Sequence, residues 1–161
     1  MAIELLPSAA EVSELFSGLL GKEVKAEVGP APIPSEPLVV STYTTNRGDI
    51  AAALIADIAL AAGIAAGLAM LPKGVVEEAV RTGRLNETLL ENYAEVANIA
   101  SGLFRRVVYG RVALAEVQPP PARSAPGFLI DDLSRLSLAL TLPGLPRGKL
   151  TVVRMLHTAG E

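Results

Sequence analysis

The sequence predicts an α+β fold in which an antiparallel β-sheet packs with two longer helices and a short N-terminal helix. Strand-like and helix-like segments are mixed along the chain, and short turns join neighbouring strands without the strand–helix–strand rhythm of a parallel sheet. The chain has 161 residues, of which 50% are hydrophobic, so it can bury a substantial core. Residues 1–161 are therefore expected to form a single domain.

The N-terminal region begins with a helix start signal. Ser8 and Glu11 have the spacing of a capping box, and Gly21 is placed to end the helix that they open. Apolar and charged residues alternate over residues 24–28, which indicates a half-buried strand. This region therefore supplies the short helix and the first strand.

A proline-rich connector and a hairpin follow. Residues 29–37 contain four prolines and are predicted to be extended, because proline removes backbone donors and disfavours helix. Residues 38–45 are rich in β-branched side chains and predict a strand. The turn at Asn46-Arg47-Gly48 joins this strand to a second one over residues 49–56.

The most apolar segment of the chain, residues 50–71, contains one charged residue, Asp57. Its length would allow it to cross a bilayer, so a membrane-associated protein is one hypothesis. An acid inside a span is costly, however, and Asp57 is a good N-cap residue. We therefore favour a strand before Asp57 and a core helix over residues 58–71, ended by Pro72.

The longest predicted helix starts at Asn86, runs to about Tyr109 and is ended by Gly110. At 100° per residue, its apolar and polar residues lie on opposite sides. The apolar side is expected to face the core and comprises Leu89, Tyr93, Val96, Ala97, Ala100, Leu103, Phe104 and Val107. The polar side is expected to be exposed and comprises Glu87, Glu91, Glu95, Asn98, Gly102 and Arg105.

Three strands are predicted in the C-terminal region. The first covers residues 111–117 and precedes the proline run at residues 119–121. The second, over residues 136–142, alternates leucine with small residues. A turn at residues 144–148 joins it to the last strand, over residues 149–156. Neither an internal repeat nor a glycine-rich phosphate loop is evident.

Composition excludes several classes of function. The chain has no cysteine and one histidine, His157, which excludes disulfide scaffolds, thiol nucleophiles and Cys/His zinc sites. Its 14 basic and 17 acidic residues give a net charge of −3, so the basic surplus of a nucleic-acid-binding protein is missing. The N-terminus has no signal-peptide pattern, and we expect a cytoplasmic protein without membrane or nucleic-acid partners.

The polar side of the longest helix carries the most specific motif. Glu95 and Asn98 form a Glu-x-x-Asn pair, and Pro121 follows Asn98 after 22 intervening residues. This spacing resembles the signature of the CheC/CheX family of chemotaxis phosphatases. The leading position of that signature is usually Asp or Ser, whereas this chain has Glu91, a carboxylate with a different reach. With one such helix, the sequence is closer to the single-site CheX type than to the two-site CheC type.

The resemblance implies hydrolysis of the aspartyl phosphate of a phosphorylated CheY-like response regulator. Asn98 would orient the attacking water, and Glu95 would accept a hydrogen bond from the regulator's active-site lysine. Glu91 and Gly102 are further candidate binding residues, and Pro121 would shape a loop. No cofactor of its own is expected, because the regulator would supply the Mg²⁺. A homodimer is also implied, since CheX relatives are homodimers.

The principal alternative is a binding module of the same fold that docks a response regulator or a flagellar-switch partner without hydrolysis. Glu91 in place of Asp or Ser favours this hypothesis. Acids and asparagines are also common on solvated helix faces that have no functional role. The sequence alone leaves these alternatives open.

Overall fold

The computed structural model describes residues 6–105, 111–129 and 134–155. The helices are α1 (Ala9–Leu20), α2 (Ile58–Ala69), α3 (Lys73–Thr82), α4 (Glu87–Ile99) and α5 (Ala125–Phe128). The strands are β1 (Lys25–Val28), β2 (Leu38–Thr44), β3 (Ile50–Asp57), β4 (Ala113–Gln118), β5 (Ser134–Thr141) and β6 (Gly148–Arg154). They form one antiparallel sheet in the order β1-β5-β6-β3-β2-β4, which confirms the predicted α+β class.

Helix α1 begins and ends where the sequence predicts. The Ser8 Oγ accepts a hydrogen bond from the Glu11 N–H at 3.1 Å, and the Ser8 N–H donates to the Glu11 Oε1 at 3.2 Å. Gly21 ends the helix with a φ of 66°, in the left-handed region that glycine adopts without strain. The helix between these two signals has 12 residues, as has α2.

Asp57 divides the apolar segment into β3 and α2, as its N-cap chemistry predicts. Its carboxylate accepts a hydrogen bond from the Leu60 N–H at 2.9 Å, and burial raises the pKa of this carboxyl group. In the part of the chain that the structure describes, no helix has both the length and the apolar character needed to cross a membrane. The segment is instead a buried strand followed by a buried helix.

The sheet has apolar layers on both faces. On one face, residues such as Val39 and Leu54 join a core cluster with α1, α2 and α4. On the other face, Val40 and Ile55 pack against Phe128 of α5. β2 and β3 are therefore buried on both sides, which explains the nearly continuous apolar sequence of β3. α5 was not predicted from the sequence.

Helix α3 was also not predicted. Gly74 and the β-branched pair Val75-Val76 have low helix propensity, so the local signal is weak. The helix is amphipathic, with Val76 and Ala79 buried in the core. Packing of this apolar side stabilises a helix that local propensity alone does not favour.

Helix α4 is shorter than predicted. It ends at Ile99 and continues as a 3₁₀ helix over Ala100–Phe104, whereas the sequence predicted one α-helix to Tyr109. Gly102 lowers the α-helical propensity at this point, and a tighter final turn is common at helix ends. The predicted core residues of this helix from Leu89 to Phe104 are buried, while Val107, Tyr109, Gly110 and Leu156 lie outside the described residues.

The sheet has an internal symmetry. Exchanging β1 with β4, β2 with β5 and β3 with β6 reverses the strand order and preserves every strand pairing. Each set of three strands follows a helix, α1 in the first set and α4 in the second. Both helices lie on the same side of the sheet and contact α2. The expectation of no internal repeat is therefore wrong.

Candidate functional site

Three polar residues form an exposed line along α4. Glu91, Glu95 and Asn98, which we call the α4 ridge, are all exposed. Their spacing places them within about 60° of one another around the helix axis. The amphipathic pattern thus predicts the orientation of α4 correctly, with these residues directed to solvent and the apolar stripe directed to the core.

The two asparagine amides of α4 differ in their hydrogen bonding. The Asn92 Nδ2 donates to the Thr88 carbonyl at 2.9 Å, within the helix itself. Within the described ranges, neither the Asn98 amide nor the carboxylates of Glu91 and Glu95 form a hydrogen bond or an ion pair. The ridge therefore presents one carboxamide and two carboxylates to an approaching molecule.

The helix beneath the ridge is firmly anchored. Its opposite side is buried through Leu89, Tyr93, Val96 and Ala97. The Tyr43 Oη donates a hydrogen bond to the Ala97 carbonyl at 2.6 Å, and the Tyr43 ring packs against the Phe104 ring with centroids 5.0 Å apart. Asn98 therefore has an exposed side chain, while the backbone of its turn is fixed by buried contacts on the opposite side of α4.

The remaining two residues singled out from the sequence are Gly102, in the 3₁₀ helix that follows α4, and Pro121. At Gly102, a Cβ atom would approach only the Arg105 Nε, at 3.9 Å, so the fold itself does not require glycine. Pro121 lines a cavity of about 670 Å³ together with Leu90, and Asn98 does not line it. Leu90 precedes Asn98 by about 12 Å of helix. The structure therefore places Pro121 beside the first turn of α4 and not beside Asn98.

The chemistry available at the ridge is that of hydrogen bonding and charge. A carboxylate accepts strong hydrogen bonds from a cationic side chain, and a carboxamide both donates and accepts. In residues 6–105, 111–129 and 134–155, no group of three or more acidic or histidine side chains could hold a metal ion. The ridge can thus dock a cation of a partner and orient a small polar molecule such as water.

A repeat in the sequence marks α1 as the counterpart of α4. At a constant offset of 84 residues, six of the ten positions from Ala10 to Leu19 are identical. These six are Ala10, Glu11, Val12, Ser17, Gly18 and Leu19. Glu11 corresponds to Glu95, whereas Glu14 stands at the position of Asn98. A search for the Glu-x-x-Asn pattern misses this repeat because the asparagine is replaced.

Comparisons with known proteins identify the fold. No protein-family model and no curated protein sequence matches the chain. A structure of the CheX–CheY–BeF₃–Mg²⁺ complex from Borrelia burgdorferi includes a chain that is similar over 93% of this chain and 99% of its own length, with a TM-score of 0.59 and 14% identity.

Two flagellar proteins are similar to the same degree. FliM from H. pylori, solved with SpeE, is similar over 91% of this chain and 81% of its own, with a TM-score of 0.58 and 10% identity. FliY from Thermotoga maritima is similar over 89% and 82%, with a TM-score of 0.55 and 18% identity. At such low sequence identities, the structural similarity shows a shared fold and nothing further. The fold that the CheC/CheX resemblance implies is therefore confirmed.

Proposed function

We propose that this protein binds a phosphorylated CheY-like response regulator through the α4 ridge and hydrolyses its aspartyl phosphate. The observation that carries the proposal is the exposed carboxamide of Asn98, one turn from the carboxylate of Glu95 on an anchored helix, neither of which bonds to a side chain or backbone group among the described residues. The shared fold with a CheX that was solved together with CheY supports the choice of partner. The proposed site of action is the cytoplasm.

The reaction is the hydrolysis of an acyl phosphate. Water attacks the phosphorus atom in line with the aspartyl oxygen, the bond between phosphorus and that oxygen breaks, and the electron pair returns to the aspartate carboxylate. Inorganic phosphate leaves with the oxygen and one proton of the water, and the other proton of the water is released to solvent. Mg²⁺ held by the regulator would neutralise the phosphoryl oxygens, so positioning of the water is the task that remains.

Asn98 is suited to position this water. Its amide oxygen accepts a hydrogen bond from the water and its NH₂ group donates one, and the side chain adds no negative charge beside the phosphoryl oxygens. A glutamine has the same function in some GTPases. Because Asn98 has no competing hydrogen bond within the described part of the chain, its amide is available to a docked substrate.

Glu95 would fix the docked position. An exposed carboxylate one turn before Asn98 can accept a charge-assisted hydrogen bond from the regulator's active-site lysine. Glu91, one further turn away, would extend this contact with the partner. Docking through Glu95 and water positioning through Asn98 are separate tasks, so they are expected to affect affinity and turnover separately.

A non-catalytic binding module is the second candidate function. The likeness to FliM, with a TM-score of 0.58, is as strong as the likeness to CheX, with 0.59, so the fold does not choose between them. In this case the same ridge would bind a regulator or a flagellar-switch partner without loss of phosphate.

The deciding experiment follows phosphate on purified CheY-like regulators encoded in the same genome. Each regulator is phosphorylated, freed of donor and incubated in Mg²⁺ with and without the protein, while binding is measured in parallel. The proposal predicts faster loss of phosphate from at least one regulator. Binding without acceleration would contradict hydrolysis and support the binding module. Absence of both would reject hydrolysis and would also reject a response regulator as the partner of the binding module.

A further inference from the structure

Tyr43 reaches α4 from an irregular point in β2. The pairing of β2 with β3 shifts register between Tyr43 and Thr44, and the pairing of β2 with β4 shifts between Thr42 and Tyr43. Bulges of this kind redirect a side chain relative to a regular strand. Tyr43 is fully buried, so its ring enters the layer between the sheet and α4.

The hydroxyl of Tyr43 supplies a donor at the last turn of α4. The Tyr43 Oη donates to the Ala97 carbonyl at 2.6 Å. Carbonyl groups at the end of a helix are those for which the α-helical ladder commonly supplies no donor. Burial raises the pKa of Tyr43 well above its ordinary value, with a smaller contribution from Tyr93. The hydroxyl therefore stays protonated and stays a donor at every pH at which the protein would act.

Tyr43 also contacts the other side of the helical transition. The α-helix ends at Ile99, and the ring of Phe104, at the end of the 3₁₀ helix, lies 5.0 Å from the Tyr43 ring at an interplanar angle of 52°. One buried side chain thus holds the backbone immediately before Asn98 and the segment that follows it.

We infer that Tyr43 is a positioning residue that fixes where α4 changes to a 3₁₀ helix and thereby aims the Asn98 amide; this inference rests on the proposed function. A 3₁₀ helix turns about 120° per residue and an α-helix about 100°. If the 3₁₀ helix began early enough to include Asn98, this residue would rotate about the helix axis by about 20°. The amide lies about 6 Å from the axis, so it would move by about 2 Å. A misplacement of about 1 Å can cost about a hundredfold in rate.

The test compares two hydroxyl deletions. Tyr43→Phe keeps the ring that packs on Phe104 and removes the bond to Ala97. Tyr93→Phe is the matched control, because Tyr93 is a buried tyrosine of α4 itself with no described bond to the Ala97 carbonyl. We expect kcat for phosphate loss to fall at least about tenfold in Tyr43→Phe, with KM for the regulator within about twofold, and neither to change in Tyr93→Phe.

Hydrogen exchange of the backbone amides of residues 98–102, in the protein without regulator, gives a readout that needs no enzymatic activity. Tyr43→Phe is expected to speed exchange there at least about tenfold, and Tyr93→Phe is not. Unchanged exchange and unchanged kcat in Tyr43→Phe would overturn the inference, as would an equal loss in Tyr93→Phe. If wild type accelerates no phosphate loss, the proposed function fails, while faster exchange in Tyr43→Phe would still show that Tyr43 holds this turn.

Discussion

Helices α1 and α4 are two versions of one element. They precede equivalent sets of strands, lie on the same side of the sheet and are identical at six of ten aligned positions. The two helices differ at the positions to which we assign the chemistry and the docking. Glu14 replaces Asn98, and Pro7, just before the N-cap of α1, stands at the position of Glu91.

The acid that the two helices share has different tasks. In α1, the Glu11 carboxylate accepts the Ser8 N–H and completes the capping box, which stabilises the start of the helix. In α4, Glu95 lies two turns inside the helix and makes no hydrogen bond to any described residue. The same residue type is thus structural in one copy and available in the other, because α4 begins six residues earlier relative to the shared motif.

The largest effect is expected from Asn98→Ala. Loss of the amide should reduce the acceleration of phosphate loss by at least about a hundredfold, because the attacking water is no longer oriented, while affinity for the regulator changes by less than about threefold. Asn92→Ala removes the other amide of α4, which is bonded to Thr88 within the helix, and should leave the rate unchanged. Equal rates in wild type and Asn98→Ala would contradict the catalytic role.

An intermediate effect is expected from Glu95→Ala, with Glu11→Ala as its counterpart. The first should weaken binding of the regulator by about 1–3 kcal/mol, the range for a charged hydrogen bond, and should not change thermal stability. The second should lower the free energy of unfolding by about 0.5–1.5 kcal/mol through loss of the cap and should not change binding. Calorimetry of binding and of unfolding separates the two, and the reverse pattern would refute the division of tasks between the helices.

The smallest effect is expected from Glu14→Asn, which restores the asparagine in α1. We predict no measurable increase in phosphate loss when this variant is made in the Asn98→Ala background. The position of Glu91 is Pro7 in α1, and Glu11 is held in the capping box, so an amide at position 14 would have no docking residues beside it. Recovery of activity would show that α1 retains a complete docking surface.

Much of the fold follows from local sequence signals. The caps at Ser8, Asp57 and Asn86 locate helix starts because their side-chain oxygens satisfy free backbone donors, and all three bonds are present. Helix α3 was missed because tertiary burial, rather than propensity, stabilises it. The end of α4 was misplaced because the contacts of Tyr43 that accompany the transition come from a strand more than fifty residues away.

The candidate site also has features that the local sequence predicts and features that depend on the tertiary fold. The 3.6-residue period of the helix predicts that Glu95 and Asn98 are exposed on one side of α4. This prediction needs only the apolar stripe on the opposite side of the helix, which the sequence shows. The freedom of the Asn98 amide could not be predicted, because Asn92, on the same helix, bonds to its own backbone. The separation of Pro121 from Asn98 is likewise a property of the tertiary fold, in which Pro121 lies near the start of α4.

The central claim is that the partner meets α4 at Asn98 and not α1 at Glu14. It is tested most directly by the NMR spectrum of the protein, with its side-chain amides assigned, as a CheY-like regulator loaded with Mg²⁺ and BeF₃ is added. The account predicts that the Asn98 side-chain NH₂ signals and the backbone amides of residues 91–98 shift or broaden, while those of residues 11–18 do not. Perturbation of residues 11–18 with unchanged Asn98 signals, or a spectrum unchanged throughout, would contradict it.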